Sequence, residues 1–250
     1  MRKFNFKKAV LIYRFIIKIP VPPLEIQQQI IIELDRYENI ISGARQIVEN
    51  WKPKIDIDPG WNLKPIANFA DVESGFCFPL DKQGKKTEKY PFLKVSDMNL
   101  PGNEVYIKCS NNTVSDDDVR ILSLKIFPKG TIIFPKIGAA IATNKKRILS
   151  VPSVYDNNVM GVIPKSSLIS EYFYYWLVNF NISMWASESS PPSMRKTVVE
   201  QYDVQLPPLE TQKKIVEIIE AERALIESAK KLIMIYEQKT KDVLSKLWVK

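Results

Sequence analysis

The sequence has 250 residues, a formal net charge of +8, two cysteines and no histidine. Without histidine, a histidine-based catalytic triad, a histidine metal site and a histidine general base are all excluded. Cys77 and Cys109 suit a reducing compartment better than a disulfide scaffold. The charge favours a polyanionic partner, but six basic and no acidic residues within positions 1–20 supply most of the excess. Bulk charge is therefore weak evidence for nucleic-acid binding.

Residues 1–20 begin like a signal peptide, because basic residues precede the apolar run Ala9–Ile12. Arg14 and Lys18 interrupt the apolar stretch that begins with this run, and no small-residue cleavage site follows. No stretch reaches the ~18 apolar residues that a membrane span needs. The sequence therefore predicts a cytoplasmic protein with no membrane partner, in which residues 1–20 are an N-terminal remnant or lead-in strand.

A repeat organises the chain. The motif Pro22-Pro23-Leu24-Glu25-Ile26-Gln27 returns 185 residues later as Pro207-Pro208-Leu209-Glu210-Thr211-Gln212. Paired prolines stop a strand, proline is tolerated where a helix begins, and a first-turn glutamate favours the positive end of the helix dipole. Each copy therefore predicts a short extended lead-in followed by a long helix, giving helical regions at 21–56 and 205–250.

Apolar residues recur at heptad spacing after both copies of the motif. Any amphipathic helix has such a stripe, but two long matching helices that flank a separate block favour an antiparallel coiled-coil pair, or packing against copies in a second chain. The residues predicted to form this interface are Ile30, Leu34, Ile41, Val48, Ile215, Ile219, Ile226 and Ile233.

The block between the helices, residues 57–204, has the pattern of short strands and turns with a little helix. Strands are predicted at Tyr90–Val95, Val105–Cys109 and Gly130–Pro135, and a helix packed on the sheet at Ser170–Val178. The predicted fold class is α+β (mixed α/β), with a curved, mostly antiparallel sheet between the two long helices.

Seven basic and no acidic residues lie between Val119 and Tyr155. Arginine and asparagine can read guanine and adenine edges, whereas lysine mainly holds phosphate; a solvated basic loop would give the same pattern. A second candidate is the loop Ser190–Lys196, and a third, Asp81–Lys86, better suits a mobile surface turn. The predicted DNA-binding residues are Lys136, Asn144, Lys145, Lys146, Arg147, Ser193, Arg195 and Lys196.

These features resemble the specificity subunits of Type I restriction-modification systems, whose long helices begin just after a Pro-Pro-Leu-x-x-Gln motif. The resemblance covers about residues 16–250, and it implies that 57–204 is one target-recognition domain that binds double-stranded DNA. The segments similar to recognition-domain motifs are Trp61–Gly75, Phe92–Met98, Lys129–Gly138 and Asp156–Pro164.

Full-length members carry two recognition domains, so the resemblance implies a half-length subunit, either functional or a truncated remnant. It would bind one half of a bipartite target, as a homodimer or paired with another specificity chain. It would also hold methyltransferase (modification) and restriction (motor and nuclease) subunits. No catalytic residue, metal or cofactor is expected, because methyl transfer, ATP hydrolysis and cleavage would belong to those partners, and the sequence has no phosphate-binding P-loop motif.

Two other functions remain open. Asp116, Asp117 and Asp118, or Glu237 with Lys239, could serve a metal-dependent nuclease, although the first group has the pattern of an acidic turn and the second lies in the heptad helix. A coiled-coil adaptor whose central block binds protein is the other alternative. Charge reversal at Lys145, Lys146 and Arg147 would leave an adaptor's partners bound, whereas a specificity subunit would lose DNA.

Overall fold

The computed structural model describes residues 21–247, so the lead-in strand predicted within residues 1–20 lies outside the described residues. The chain divides into two compact units. The helical unit contains the segment that ends at Trp51 together with the segment that begins at Ala224, and the sheet unit is Lys52–Arg223. Among residues 21–247, no helix combines the length and the apolar character required to cross a membrane.

The described residues form two long and three short α-helices. Both long helices begin directly after a Pro-Pro pair, and the first ends where Trp51 turns to extended backbone. Their 27 and 38 residues correspond to about 40 and 57 Å. The predicted long helices and the predicted helix in the central block are confirmed. The helices are α1 (Leu24–Asn50), α2 (Asp116–Ile121), α3 (Ser170–Asn179), α4 (Lys196–Glu200) and α5 (Leu209–Lys246).

In the helical unit, α1 and the distal part of α5 pack as an antiparallel pair. The ring centroids of Tyr37 and Tyr236 are 5.2 Å apart in an edge-on contact, and an Arg45 guanidinium nitrogen lies 2.6 Å from a Glu237 carboxylate oxygen. Ile30, earlier in α1, shares a cavity wall with Val243, later in α5. Because Ile30, which precedes Tyr37 in α1, lines the same cavity as Val243, which follows Tyr236 in α5, the predicted antiparallel pair is confirmed.

The heptad seam accounts for the burial pattern of this pair. Ile41 and Ile226 are buried, and the other seam residues of the helical unit are half-buried: Ile30, Leu34, Val48 and Ile233. Ile215 and Ile219 require a correction, because they belong to the sheet unit and not to the helical unit. The first turns of α5 are bound there by side-chain contacts such as the hydrogen bond from Tyr175 to Glu220.

The sheet unit contains ten short strands. They form a two-stranded sheet (β1–β10), a three-stranded sheet (β5–β3–β8) and a five-stranded sheet in the order β2–β9–β6–β7–β4. The five-stranded sheet is antiparallel except for the β4–β7 pair, so the predicted α+β class is confirmed. The strands are β1 (Leu63–Pro65), β2 (Ala70–Ser74), β3 (Tyr90–Leu93), β4 (Tyr106–Ile107), β5 (Thr113–Val114), β6 (Ile132–Pro135), β7 (Arg147–Leu149), β8 (Val154–Tyr155), β9 (Val159–Pro164) and β10 (Asp203–Gln205).

Apolar side chains on the inner faces of these strands form the core. One cluster joins the five-stranded sheet to β3 and β8, through residues such as Leu93, Ile133 and Tyr155. A second cluster packs Phe78 and Phe92 in a ring stack with centroids 3.6 Å apart, beneath α2. The predicted strands at 90–95, 105–109 and 130–135 are confirmed as β3, β4 and β6. A rigid core fixes the ends of these strands, and those ends position the candidate site.

Candidate nucleic-acid interface

One edge of the five-stranded sheet gathers the ends of four strands. Strands β2 and β6 end there, because both run antiparallel to β9 and pair with its first residues: Ser74 with Met160, and Pro135 with Val159. Strand β7 runs antiparallel to β6, so its first residue, Arg147, lies toward the same edge. The topology therefore brings Ser74, Lys136 and the segment that leads into β7 to one end of the sheet.

Two further segments flank Lys136 at this edge. Its backbone amide donates to the Asn158 carbonyl at 2.8 Å, and its carbonyl accepts from the Met194 amide at 2.9 Å. The Gly138 amide also donates to the Pro192 carbonyl at 2.8 Å. The turn before β9 and the 187–195 loop are thus both hydrogen-bonded to the backbone at Lys136.

Lys94 reaches the same region from the smaller sheet. It directly follows β3, which pairs in parallel with β8, and the Asp156 amide after β8 donates to the Leu93 carbonyl at 2.9 Å. Lys94 therefore lies beside the turn that contacts Lys136. We call the five basic residues of this region the cationic edge: Lys94, Lys136, Lys145, Lys146 and Arg147.

The five residues of the cationic edge share an unusual property: all are half-buried or buried, and none forms an ion pair with a described residue. Only two other basic residues within 21–247 are similarly buried, Lys82 and Arg223, and each contacts a carboxylate. Burying a charge is costly unless it is paired. Every half-buried cation that lacks a carboxylate partner in the described chain thus lies at this edge.

The side chains of the cationic edge bind neutral oxygens instead. Lys136 donates to the Ser74 hydroxyl at 3.0 Å, Lys146 to the Phe180 carbonyl at 2.8 Å, and Arg147 to the Met98 carbonyl at 2.7 Å. Lys94 donates to the Gln83 side chain and Lys145 to that of Asn99. These contacts orient the cations without forming ion pairs, while at longer range Glu104 attracts Arg147 and Asp156 attracts Lys94.

Burial lowers the pKa values of three of these cations. Burial lowers the pKa of Lys136 and of Arg147, and it lowers the pKa of Lys146 to about 8. The Nε of Arg147 is buried and has no hydrogen-bond partner among residues 21–247. An anion placed against this edge would favour the charged forms and offset the desolvation. The site can therefore bind polyanions.

Elsewhere on the sheet unit, several basic side chains are already neutralised. Lys89 lies 2.8 Å from Asp116, Lys125 lies 3.0 Å from Glu73, and Lys165 lies 3.1 Å from Asp71. The predicted surface turn Asp81–Lys86 belongs to this group, because Lys82 and Lys85 both contact Asp118. Anion binding at these positions would first have to break an ion pair.

Two residues predicted to bind DNA have structural roles instead. Asn144 adopts a left-handed backbone conformation (φ 53°), and its side chain is used twice: the amide nitrogen donates to the Phe180 carbonyl and the oxygen accepts from the Ile182 amide. Lys146 is 3 % exposed and binds the same carbonyl. We therefore withdraw Asn144 and Lys146 as direct DNA contacts, since their polar groups face the protein interior.

The second predicted segment lies beside the edge. Ser193 is half-buried, and its amide and carbonyl bond Ser187. Arg195 is exposed, and its guanidinium has no hydrogen-bond partner among residues 21–247. Lys196 begins α4 and lies 3.6 Å from both Glu73 and Glu200. Arg195 is the side chain of this segment that can reach a ligand without breaking an existing contact.

The carboxylates of the nuclease alternative are used in structural contacts. Ser115 caps α2 by accepting from the Asp118 amide at 3.1 Å, and the Asp118 carboxylate accepts a hydrogen bond from Lys82 that lowers its pKa to about 2. Asp116 binds Lys89 and Tyr90. Glu237 pairs with Arg45 within the helical unit. Within residues 21–247, no group of three or more acidic or cysteine side chains is arranged to hold a metal ion.

Two residues at this edge, Lys94 and Asn157, were not among the predicted DNA-binding residues. Lys94 directly follows a buried strand, and Asn157 lies in an exposed turn directly before one. Polar residues at strand ends were the available signal, but their proximity depends on the β3–β8 and β6–β9 pairings. A sheet unit with unneutralised cations at one edge defines a polyanion-binding domain.

The comparisons with known proteins specify this class. The model of the family described as "Type I restriction modification DNA specificity domain" matches residues 59–234. The chain therefore belongs to the Type I restriction-modification DNA specificity family. It is 27 % identical over 169 residues to the Type I restriction enzyme MjaIX specificity subunit of Methanocaldococcus jannaschii, a match covering 62 % of this chain and 36 % of that protein.

Solved structures show the same fold. The HsdS subunit from Thermoanaerobacter tengcongensis superposes with a TM-score of 0.57 at 17 % identity, covering 92 % of this chain and 59 % of that one. A chain from a study of complex assembly and conformational transition of the type I R-M system gives a TM-score of 0.58 at 16 % identity, covering 91 % and 60 %. The chain thus spans about a third to three-fifths of the length of these relatives.

Proposed function

We propose that this chain recognises DNA for a Type I restriction-modification complex by placing its cationic edge against the duplex. The observation that carries the proposal is the set of five buried or half-buried cations that form no ion pair with a described residue. Duplex DNA is a dense polyanion, and release of its counterions by lysine and arginine drives association. The sheet unit supplies the cations on a rigid frame, so that little ordering is needed on binding.

The side chains of the cationic edge and its neighbours are suited to two different roles, holding phosphate and reading bases. Lys94, Lys136 and Lys145 are suited to hold backbone phosphates, because lysine is a point charge on a flexible stem. Arg147 would add charge from a half-buried position. Sequence would be read by side chains with unused donors and acceptors next to them, of which Arg195 can bind guanine in a bidentate manner.

The repeated motif suggests a second recognition domain. Gln212 bonds the carbonyl of Pro207 and also holds the start of α5 to the segment before α3, through the Ser167 carbonyl at 3.1 Å and the Ile169 amide at 2.9 Å. Gln27 bonds the carbonyl of Pro22 in the same way, but its side chain has no other partner among the described residues. A second domain of the same kind, on a paired chain, fits this position and would read the other half of a bipartite target.

The helical unit is proposed to hold the catalytic subunits. It exposes apolar side chains away from its seam, among them Ile31, Ile32, Leu225 and Ile235. Exposed apolar surface of this kind marks interaction sites. Methyltransferase and restriction subunits are the partners that the family resemblance implies, and methyl transfer, ATP hydrolysis and cleavage would belong to them. The chain itself would be a non-catalytic recognition subunit.

The test is to express the chain with a methyltransferase subunit from the same type of system, purify the complex and map methylated adenines in the host DNA. A bipartite methylated motif that appears only when this chain is present would support the proposal. Co-purification without any motif that depends on the chain would contradict it and favour the coiled-coil adaptor. Inactivity combined with loss of subunit binding would identify a truncated remnant.

A further inference from the structure

Asn157 stands out at the cationic edge because its side chain is exposed and makes no hydrogen bond with residues 21–247. The other asparagines near this edge are occupied. Asn99 accepts from Lys145, Asn144 bonds the backbone of 180–182, and Asn158 donates to the Asp156 carboxylate. Asn157 therefore presents an amide with both its donor and its acceptor unused.

The turn that carries Asn157 is held on every side by hydrogen bonds. The Asp156 amide donates to the Leu93 carbonyl at 2.9 Å, and the Asp156 carbonyl accepts from the Val159 amide at 3.0 Å. On the other flank, the Asn158 carbonyl accepts from the Lys136 amide at 2.8 Å. Asn157 is thus fixed between Lys94 on one side and Lys136 on the other.

Two further features add rigidity to the turn. Gly75 passes so close that a Cβ there would lie 2.1 Å from the Asp156 and Tyr155 carbonyl oxygens, so only glycine allows this approach. The buried Asp156 carboxylate accepts from the Asn158 amide at 3.0 Å and from its side chain at 3.3 Å. Burial raises the pKa of Asp156. A buried acid thus shapes a turn whose central side chain, that of Asn157, makes no hydrogen bond with residues 21–247.

We propose that Asn157 is a specificity-determining residue that reads an adenine in the major groove of the recognised half-site. Asparagine pairs with adenine in a bidentate manner, with Oδ1 accepting from the N6 amino group and Nδ2 donating to N7. The lysines on both sides would hold the backbone phosphates and fix the depth at which the turn enters the groove. This inference rests on the proposed function, since it names the base contact made by the same edge.

The experiment is a binding selection with duplexes that carry a randomised region, using the purified chain in its methyltransferase complex. The wild-type complex should enrich one motif. Asn157→Ala should enrich the same motif except at one adenine, where discrimination falls by about 5- to 150-fold. Asn157→Asp, which presents two acceptors, should move the preference at that position toward cytosine.

Asn68→Ala is the matched control, because Asn68 is also exposed without a side-chain partner among the described residues but precedes β2 at the opposite edge. It should leave the motif unchanged. An unchanged motif in both Asn157 variants would overturn the assignment while leaving the proposed function intact. Uniform weakening at every position in both would also overturn it. If the wild-type complex enriches no motif, the proposed function fails, and the assignment fails with it.

Discussion

Two basic stretches that look alike in sequence differ sharply in the structure. Asp81–Lys86 and Asn144–Arg147 each carry three cations within a few residues. In the first, Lys82 and Lys85 contact the buried carboxylate of Asp118 at 3.0 and 3.4 Å. In the second, no cation forms an ion pair with a described residue, although all three are half-buried or buried. The two stretches have similar local charge density, but only in the second are all three cations free of ion pairs with described residues, so that they can bind an anion without breaking one.

The difference comes from segments distant in sequence. Helix α2, with three aspartates in its first turn, packs against the first stretch and neutralises it. The second stretch instead meets the carbonyls of Met98 and Phe180, which orient cations without cancelling them. Neutralised cations release fewer counterions when DNA binds, so they add little to affinity. We infer that a basic stretch predicts a DNA contact only where the fold leaves its charge unpaired.

The strongest test of this comparison removes three cations of the cationic edge. We expect Lys94→Ala, Lys136→Ala and Lys145→Ala together to lower the salt slope of DNA binding by about 2.7, at about 0.9 for each phosphate contact. Affinity at physiological salt should fall by about 10²- to 10³-fold, and titrations at several salt concentrations would measure both. Replacing the exposed, ion-paired Lys89, Arg120 and Lys125 by alanine is the matched control. Equal losses in the two triple variants would contradict the comparison.

A second prediction concerns the neutralised stretch. Asp118→Ala should leave Lys82 and Lys85 without their shared carboxylate and also remove a cap contact of α2. The expected loss is about 1–3 kcal/mol in the free energy of unfolding. Asp117→Ala is the control, since Asp117 pairs with Arg120 at the exposed surface. Urea unfolding of the two variants at pH 7 would measure the difference.

The same carboxylate predicts acid sensitivity. The hydrogen bond from Lys82 lowers the pKa of Asp118 from 3.8 to about 2. A group whose pKa is lower in the folded state stabilises the protein above the unfolded value and loses that contribution as pH falls through the folded value. Wild-type stability should therefore lose this contribution between about pH 4 and 2, and Asp118→Ala should not. Identical acid profiles would show that the Asp118 contacts add no stability.

Much of the fold could be predicted from the sequence because its signals are local. Heptad spacing after Pro23 and Pro208 sets α1 and α5, and runs of β-branched and aromatic residues set β3 and β6. What could not be predicted depends on contacts between distant segments. Ile215 and Ile219 continue the heptad pattern, yet they belong to the sheet unit, where Gln212 and Glu220 bind residues more than 40 positions away.

The candidate site shows the same limit. The sequence identified the basic stretch before β7 and the arginine before α4, because residue type alone suggests DNA contacts there. It could not show that Lys146 and Asn144 face inward, since their shared acceptor, the Phe180 carbonyl, lies more than 30 residues away. Lys94 and Asn157 were missed because only the pairing of β3 with β8 and of β6 with β9 brings them together with Lys136.

The smallest effect that we expect comes from Lys146, which the proposal treats as a buried charge near the bound DNA and not as a direct contact. Its pKa of about 8 means that, between pH 8 and 10.5, the unfolded chain binds a proton that the folded chain has lost. Its contribution to stability therefore rises with pH across that window.

Phosphates at the cationic edge favour the protonated form of Lys146, so DNA binding should take up a proton and weaken above pH 8. At constant ionic strength, we expect wild-type affinity to fall between pH 7.5 and 9.5 by up to about tenfold more than that of Lys146→Met, since one pKa unit corresponds to about a factor of ten. The lowered pKa of Lys136 is common to both proteins, so its effect cancels in the comparison. Parallel pH profiles would show that the charge of Lys146 does not reach the bound DNA.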